Sequence, residues 1–475
     1  DTVIPCFLNH DDFEPDNPLG SNAGNNKIAA FYYTFPVIPH YLLSSPNFIF
    51  DGSLFSSHLK NEDLKSCVEP LVNIFVDLET NGIDLNIDNN EKKVYIVLCL
   101  LLGDNLAINE MLGLSKSFNS NYFCRFCTIL KDESKQTVKE CDNSLRSIDT
   151  YVHDLESKHN GIISDCYFRK LKYFHPITNY EIDVMHDLYE GVARYDLALI
   201  LQSFIYEKKL FNLNTLNQIK QTFEYGEIEI DQLFKSKFTE NEINVLEKNI
   251  TLYLERRTRI FGKTLKPKHH FLTHACRCIR KSGPLKFLSC FPFEQRNRIT
   301  KHYANVCFQR KNLAWSLSYK SATNFNNFLK NHENGFPLEM SYKEKHKTSL
   351  TYEELLNQNY INHEILRKID HDKLLFKLSC LDYKSTTFKI GFCIAINKDH
   401  KEIECFKIID FLLNDDKYYI VGQKQFVKYN THSQSYLLQR SSSFNKLILF
   451  EELDYFPFNM HSNVTGEIGF RLKSL

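Results

Sequence analysis

The sequence predicts a mixed α/β core, interrupted by a helical insertion and followed by a small β-rich C-terminal domain. Three observations carry this. Val94 to Leu102 is continuously apolar and stops at Gly103-Asp104, the stretch 145–262 is polar with helical periodicity, and strand-like alternation sets in after Cys380. A chain of 475 residues with 43% hydrophobic content can bury a large core, which excludes disorder as a class. Its longest apolar run is about half of the roughly 20 residues a membrane-spanning helix needs, so no membrane partner is expected. The chain opens on Asp1 with neither an initiator Met nor a basic-then-apolar leader, and is therefore expected to be truncated at its N-terminus.

The elements follow in order. Val3 to Leu8 reads as a first strand ending at Asp11-Asp12, and Ile28 to Phe35 as a second. Between 62 and 80, Leu64, Val68, Leu71, Val72, Phe75 and Leu78 recur at helical spacing, and Asn81-Gly82 is the stop. Val94 to Leu102 is expected to be a central strand buried on both faces. Two strands thus each deliver an Asp at or near a C-terminal end, where open α/β sheets place their sites. Within 145–262, Ile182 to Phe204 is the clearest amphipathic helix. Pro267 opens a helix running to about Lys281 and stopped by Gly283-Pro284, and another helix is expected over Phe293 to Tyr319. Strands are expected at Phe388 to Ile396, Cys405 to Ile409, Tyr418 to Gly422 and Ser435 to Leu438. The expected organisation is a core over 1–144, an insertion over 145–262, completion of the core over 263–330, a linker over 331–378 and a β-rich domain over 379–475.

Lys plus Arg and Asp plus Glu balance at 58 each, but the balance conceals an asymmetry. Between Arg256 and Lys311 stand 15 Lys or Arg, and the single acid is Glu294. Such a segment suggests a polyanion partner, because each cation beside a phosphate releases condensed counterions. A solvated basic face is the plain alternative, but it leaves the lone Glu294 unexplained. The 14 cysteines are scattered over a long chain, with close spacing at Cys124/Cys127 and Cys276/Cys278, which predicts a reducing compartment.

Cys124 and Cys127 have the C-x2-C spacing with which two thiolates grip one tetrahedral zinc. A His pair would complete such a site. On the helix expected from Lys268 to Lys281, His270 and His274 fall about 40° apart on one face, whereas His269 lies about 140° from His274 and could ligate only if the helix began later. A structural Zn2+ on Cys124, Cys127, His270 and His274 is expected. Asp11, Asp104 and Glu294 form a second constellation, since divalent ions prefer carboxylate oxygens converging from separate elements. Asp104 has the strongest claim, because an acid ending the most buried strand needs a partner. Asp12 and Glu14 compete with Asp11, and the residues alone leave Asp11 and Glu294 open.

The ordered motifs D-D-F-E-P (Asp11 to Pro15), G-D-N-L (Gly103 to Leu106) leading to C-x2-C, D-V-M-H (Asp183 to His186), H-H-F-L-T-H (His269 to His274), S-G-P-L (Ser282 to Leu285) and P-F-E (Pro292 to Glu294) resemble the catalytic region of DDE transposases of the CACTA, Mirage and Chapaev superfamily. The resemblance covers roughly residues 1 to 330. The layout is also similar to the catalytic core of the V(D)J recombinase and its Transib relatives. It implies an RNase H-like core in which Asp11, Asp104 and Glu294 are the first, second and third acids, holding Mg2+ or Mn2+. It likewise implies zinc at Cys124, Cys127, His274 and either His270 or His269. Asp12 stands where CACTA elements have a Gly, which leaves Asp11 and Asp12 as alternatives. Asp183 and His186 match a family motif and are read as structural.

The function implied is hydrolysis of a phosphodiester at element ends followed by strand transfer into target DNA, by a nuclear protein that is a homodimer or larger on DNA. Arg296, Arg298 and Lys301 are expected to hold the DNA backbone without reading bases. The rival expectation is a host-retained or inactive derivative that binds DNA or protein without cutting.

Overall fold

Strand β1 (Thr2–Phe13) is the middle strand of a five-stranded mixed sheet with β2 (Ile28–Thr34), β3 (Phe50–Ser56), β4 (Ile83–Ile87) and β5 (Asn90–Gly103), in the order β3-β2-β1-β5-β4. The computed structural model describes residues 2–15, 26–43, 45–87, 89–213, 233, 235, 237–307, 311–331, 341–342, 347–383, 386–398, 402–430, 435–453, 457–458, 461–462 and 468–470. The chain divides into two units, Asp1–Asn331 and His332–Leu475.

In the first unit β1, β2 and β3 run antiparallel, while β5 runs parallel to β1. That parallel register sets His10 opposite Gly103, so the residues that follow, Asp11 and Asp104, emerge side by side. Gly103 is required there: a Cβ at this position would lie 2.7 Å from the His10 carbonyl oxygen. The expected central strand is therefore one place off centre. It is buried on both faces only over Leu100–Gly103, because its first half meets the short strand β4 at the sheet edge.

Helix α1 (Ser57–Thr80) kinks at Asp63, and beyond the kink Val68, Val72 and Phe75 bury against the sheet at the spacing read from the sequence. Asp104 caps α2 (Asn105–Met111), its Oδ1 accepting from Ala107 N at 2.6 Å. From 112 to 182 the chain is mostly turns, with one longer helix, α3 (Ile148–Ser157). Asn179 O accepts from Leu101 N at 2.8 Å, and Tyr180 bridges Leu101 in parallel, so this segment runs alongside the end of β5.

Three expected helices differ from the sequence reading. Ile182 to Phe204 is not one α-helix: a π-wound helix α4 (Val184–Ala193) leads into α5 (Arg194–Gln202). The helix from Pro267 is broken into α7 (Pro267–Leu272) and α8 (Ala275–Ser282), preceded by α6 (Glu240–Phe261). The break follows from tight i→i+3 bonds at Thr273 and His274 and from the Thr273 hydroxyl, which donates to the His270 carbonyl at 2.7 Å. The expected Phe293 to Tyr319 helix is likewise two, α9 (Phe291–Asn305) and α10 (Leu313–Lys330), the second started by Asn312, whose Oδ1 accepts from Trp315 N.

The second unit is β-rich. Strands Glu402–Asn414, Lys417–Asn430 and Ser435–Leu449 form an antiparallel meander, longer than the alternation indicated. Asp415 and Asp416 both take positive φ, the two-residue turn whose twist matches a hairpin. Phe406, Phe411, Ile420 and Ile448 form one core cluster. Leu355, Ile365 and Ile369, from the stretch read as a linker, pack with Leu412, Val421 and Leu447, so that stretch belongs to this unit's core.

Candidate functional site

Neighbouring residues of a strand point to opposite faces, and this separates Asp11 from Asp12. Asp12 meets Lys60 at 2.6 Å and lies on the side of Glu110, which Lys60 also contacts at 3.0 Å. Asp11 faces α9, where Asn297 Nδ2 donates to its Oδ2 at 2.5 Å. Burial first, and then the negative charge of Glu294, push the Asp11 carboxyl up to about 6; Asp104 adds to the rise, while Asn297 and His186 oppose it. Asp104 at the end of β5 and Glu294 in the first turn of α9 thus both act on Asp11 of β1. Glu294 is 42% exposed, so the cluster opens to solvent.

Asp183 and His186 stand inside this cluster, a placement the sequence reading missed. Asp183 caps α4 and accepts from Cys290 N at 3.0 Å, tying α4 to the start of α9. His186 Nδ1 donates to Asp183 Oδ2 at 2.5 Å, and its Nε2 lies 3.4 Å from Glu294 Oε1. Burial works against a charged ring, but the bonds to Asp183 and Glu294 outweigh it and push His186 up to about 10. The signal was present in the D-x-x-H spacing, an N-cap Asp followed one turn later by a His.

Cys124, Cys127, His270 and His274 are all buried, and one ligand atom from each lies within 4.8 Å of the others, an arrangement that can hold a metal ion such as zinc. His270 Nε2 is 3.2 Å from Cys127 Sγ, His274 Nε2 is 3.5 Å from Cys124 Sγ, and the two ring nitrogens are 3.3 Å apart. Burial opposes a thiolate, yet Cys127 and the charges of His274 and His270 hold the Cys124 thiol well below its usual range. His274 Nδ1 bonds to Glu140, which fixes the ring so that Nε2 faces the sulfurs. Arg146 donates to the Cys124 carbonyl at 2.8 Å. Glu140 and Arg146 carried no sequence signal.

His269 is engaged elsewhere. Its Nδ1 accepts from Lys266 N at 3.1 Å and its Nε2 donates to Asp196 at 3.2 Å, where Arg257 and Tyr253 also bind. Much of the basic segment is spent in the same way. Arg257 pairs with Asp196, Arg277 with Glu140, Arg280 with Glu240 and Lys281 with Glu181.

The expectation that Arg296 holds a DNA phosphate is corrected by its burial. Its guanidinium reaches Asp51 at 3.3 Å and bonds to Ser321, clamping α9 onto β3 and α10. The position faces the core because Arg296 is about 160° from Glu294 around α9, on nearly the opposite side. Arg298 is exposed, and Lys301 lies over the Phe13 ring at 5.9 Å, at the end of the strand that carries Asp11. Arg310 lies outside the described residues.

The chain matches no protein-family model, and no curated protein matches it.

Proposed function

We propose that the first unit is an RNase H-like DDE transposase core that cleaves phosphodiesters at element ends and joins the freed ends to target DNA. The observation that carries this reading is the gathering of Asp11, Asp104 and Glu294 from three separate elements, close enough for the charges of Glu294 and Asp104 to act on Asp11. The sheet order, with β1 to β3 antiparallel and β5 parallel to β1, supports the RNase H-like layout. Carboxylates whose negative charges raise the proton affinity of Asp11 also suit a divalent cation beside it. Mg2+ or Mn2+ bound there supplies Lewis-acid activation of water and of the phosphoryl oxygen. The chain's own part is orientation: Asn297 directs the Asp11 carboxylate, and the capping bond to Ala107 N holds Asp104. Arg298 and Lys301, one helical turn and two turns beyond Glu294, would contact the DNA backbone.

Zinc is the metal proposed for the Cys/His group. A tetrahedral centre with metal–sulfur near 2.3 Å and metal–nitrogen near 2.0 to 2.1 Å separates sulfur from nitrogen by roughly 3.5 Å and the two nitrogens by roughly 3.3 Å. The separations in the fold, 3.2 and 3.5 Å for nitrogen to sulfur and 3.3 Å between nitrogens, fit that centre. All four positions are filled by protein, so its role is structural.

The test is incubation of the full-length protein with candidate element ends and Mg2+ or Mn2+, beside Asp104→Ala. Cleavage by the wild type and none by the variant supports the proposal. DNA binding by both with cleavage by neither supports a non-catalytic derivative instead.

A further inference from the structure

Arg125 lies between the two cysteines, and its side chain is 1% exposed. It turns away from the sulfurs. Nη1 donates to Asn105 Oδ1, and Nη2 donates to the Glu181 carbonyl at 3.1 Å and to Asp187 Oδ2 at 3.4 Å. Asn105 Nδ2 closes the triangle by donating to Asp187 Oδ1 at 2.6 Å. The guanidinium packs against Phe126 and Phe271, whose ring centres lie 4.9 and 4.8 Å from it. Phe126 precedes Cys127 and Phe271 follows His270, so Arg125 packs against residues adjoining the metal ligands.

What Arg125 grips is as informative as what holds it. Asn105 directly follows Asp104 and begins the helix that Asp104 caps. Asp187 directly follows His186, and its Oδ2 also accepts from Asp183 N at 3.3 Å. Asp183 in turn holds the backbone N–H of Cys290 at the start of the helix carrying Glu294. A second link runs in parallel: Lys268, on the helix of His270, donates to the His186 carbonyl at 2.7 Å. A buried charge is stable only when paired and hydrogen-bonded, and both terminal nitrogens of Arg125 are engaged in this way.

We propose that Arg125 is a positioning residue through which the Cys/His metal knuckle sets the geometry of the acid cluster, so that cation binding at Asp11, Asp104 and Glu294 depends on a side chain that touches none of them. This rests on the proposed reading of those acids as divalent-cation ligands. The knuckle is then more than a staple. It carries a rigid arm that orients Asp104 through Asn105, and Glu294 through Asp187, Asp183 and Cys290.

The experiment titrates Mn2+ into the full-length chain by electron paramagnetic resonance, with Co2+ at the Cys/His group reporting the knuckle through its absorption spectrum. Arg125→Met leaves Asp187 buried and unpaired and so threatens folding. Arg125→Met combined with Asp187→Asn removes both charges and serves as the decisive variant. The expected result is an unchanged Co2+ spectrum with Mn2+ affinity roughly 10- to 100-fold weaker, the range for loss of an outer-shell partner. Arg125→Lys, which keeps the charge but not the planar fork, should recover only part of that loss. Leu254→Ala, a core truncation in α6, controls for loss of stability and should leave Mn2+ affinity as in the wild type. A double variant that keeps its Co2+ spectrum and binds Mn2+ like the wild type overturns the proposal. An equal loss of affinity in Leu254→Ala also overturns it, by making the effect one of general stability. A wild-type chain that binds no Mn2+ overturns the cation reading itself, and this inference with it.

Discussion

The side-chain amide of Asn297 donates to the Asp11 carboxylate across 2.5 Å, one helical turn beyond Glu294 on the same helix. The bond aims one acid of the cluster from the element that supplies another, and it favours the charged form of Asp11. Asn297→Ala is expected to weaken Mn2+ binding by roughly tenfold, as removal of a ligand's orienting partner does, while leaving the fold intact. Paramagnetic titration of the variant beside wild type measures this, and equal affinities would refute the orienting role.

Asp11 also predicts a pH dependence in the metal-free chain. Its ordinary value of 3.8 is pushed up to about 6, by burial first and then by Glu294. Between those values the folded chain holds a proton that the unfolded chain has released, so this group's contribution to stability falls as pH rises through that window. Asp11→Asn removes the proton exchange. Chemical denaturation at about pH 4 and about pH 7 should show the variant losing less stability than wild type on going up in pH.

The metal group gives a third expectation. Cys127→Ala should lose bound zinc and unfold the first unit at lower temperature, since metal binding and folding are the same free energy in a structural site. Glu140→Gln should keep the stoichiometry and lower the affinity roughly 10- to 100-fold, because the His274 ring loses its carboxylate partner. Competition with a chelator, followed by metal analysis, distinguishes the two. Full zinc retention in Cys127→Ala would remove it from the ligand set.

Three cations of one helix should behave differently. Replacing Arg298 and Lys301 with Ala should flatten the salt dependence of DNA binding by as much as about 1.8 in log–log slope, weakening all sequences alike. Arg296→Ala should instead lower stability by about 3 kcal/mol, the scale for breaking a buried pair, because it strands Asp51. Salt titrations of binding and denaturation curves separate the two outcomes. A stable Arg296→Ala with a flattened slope would return that residue to the DNA surface.

Some of this was legible in the sequence because it depends on local spacing. C-x2-C and the i, i+4 histidines are short-range relations, so the four side chains of the buried Cys/His group are legible in the sequence. The apolar run into Gly103-Asp104 marked a strand end with an acid for the same reason. What the tertiary structure decided depends on residues far apart in the chain. The parallel register of β1 with β5 places Asp11 beside Asp104, and strand alternation turns Asp12 away toward Lys60. Arg296 looked like its basic neighbours until packing aimed it at Asp51, 245 positions away. Arg125, Glu140, Asp183 and His186 have roles set by partners across the fold, and a buried polar group is defined by its partner, which no local pattern contains.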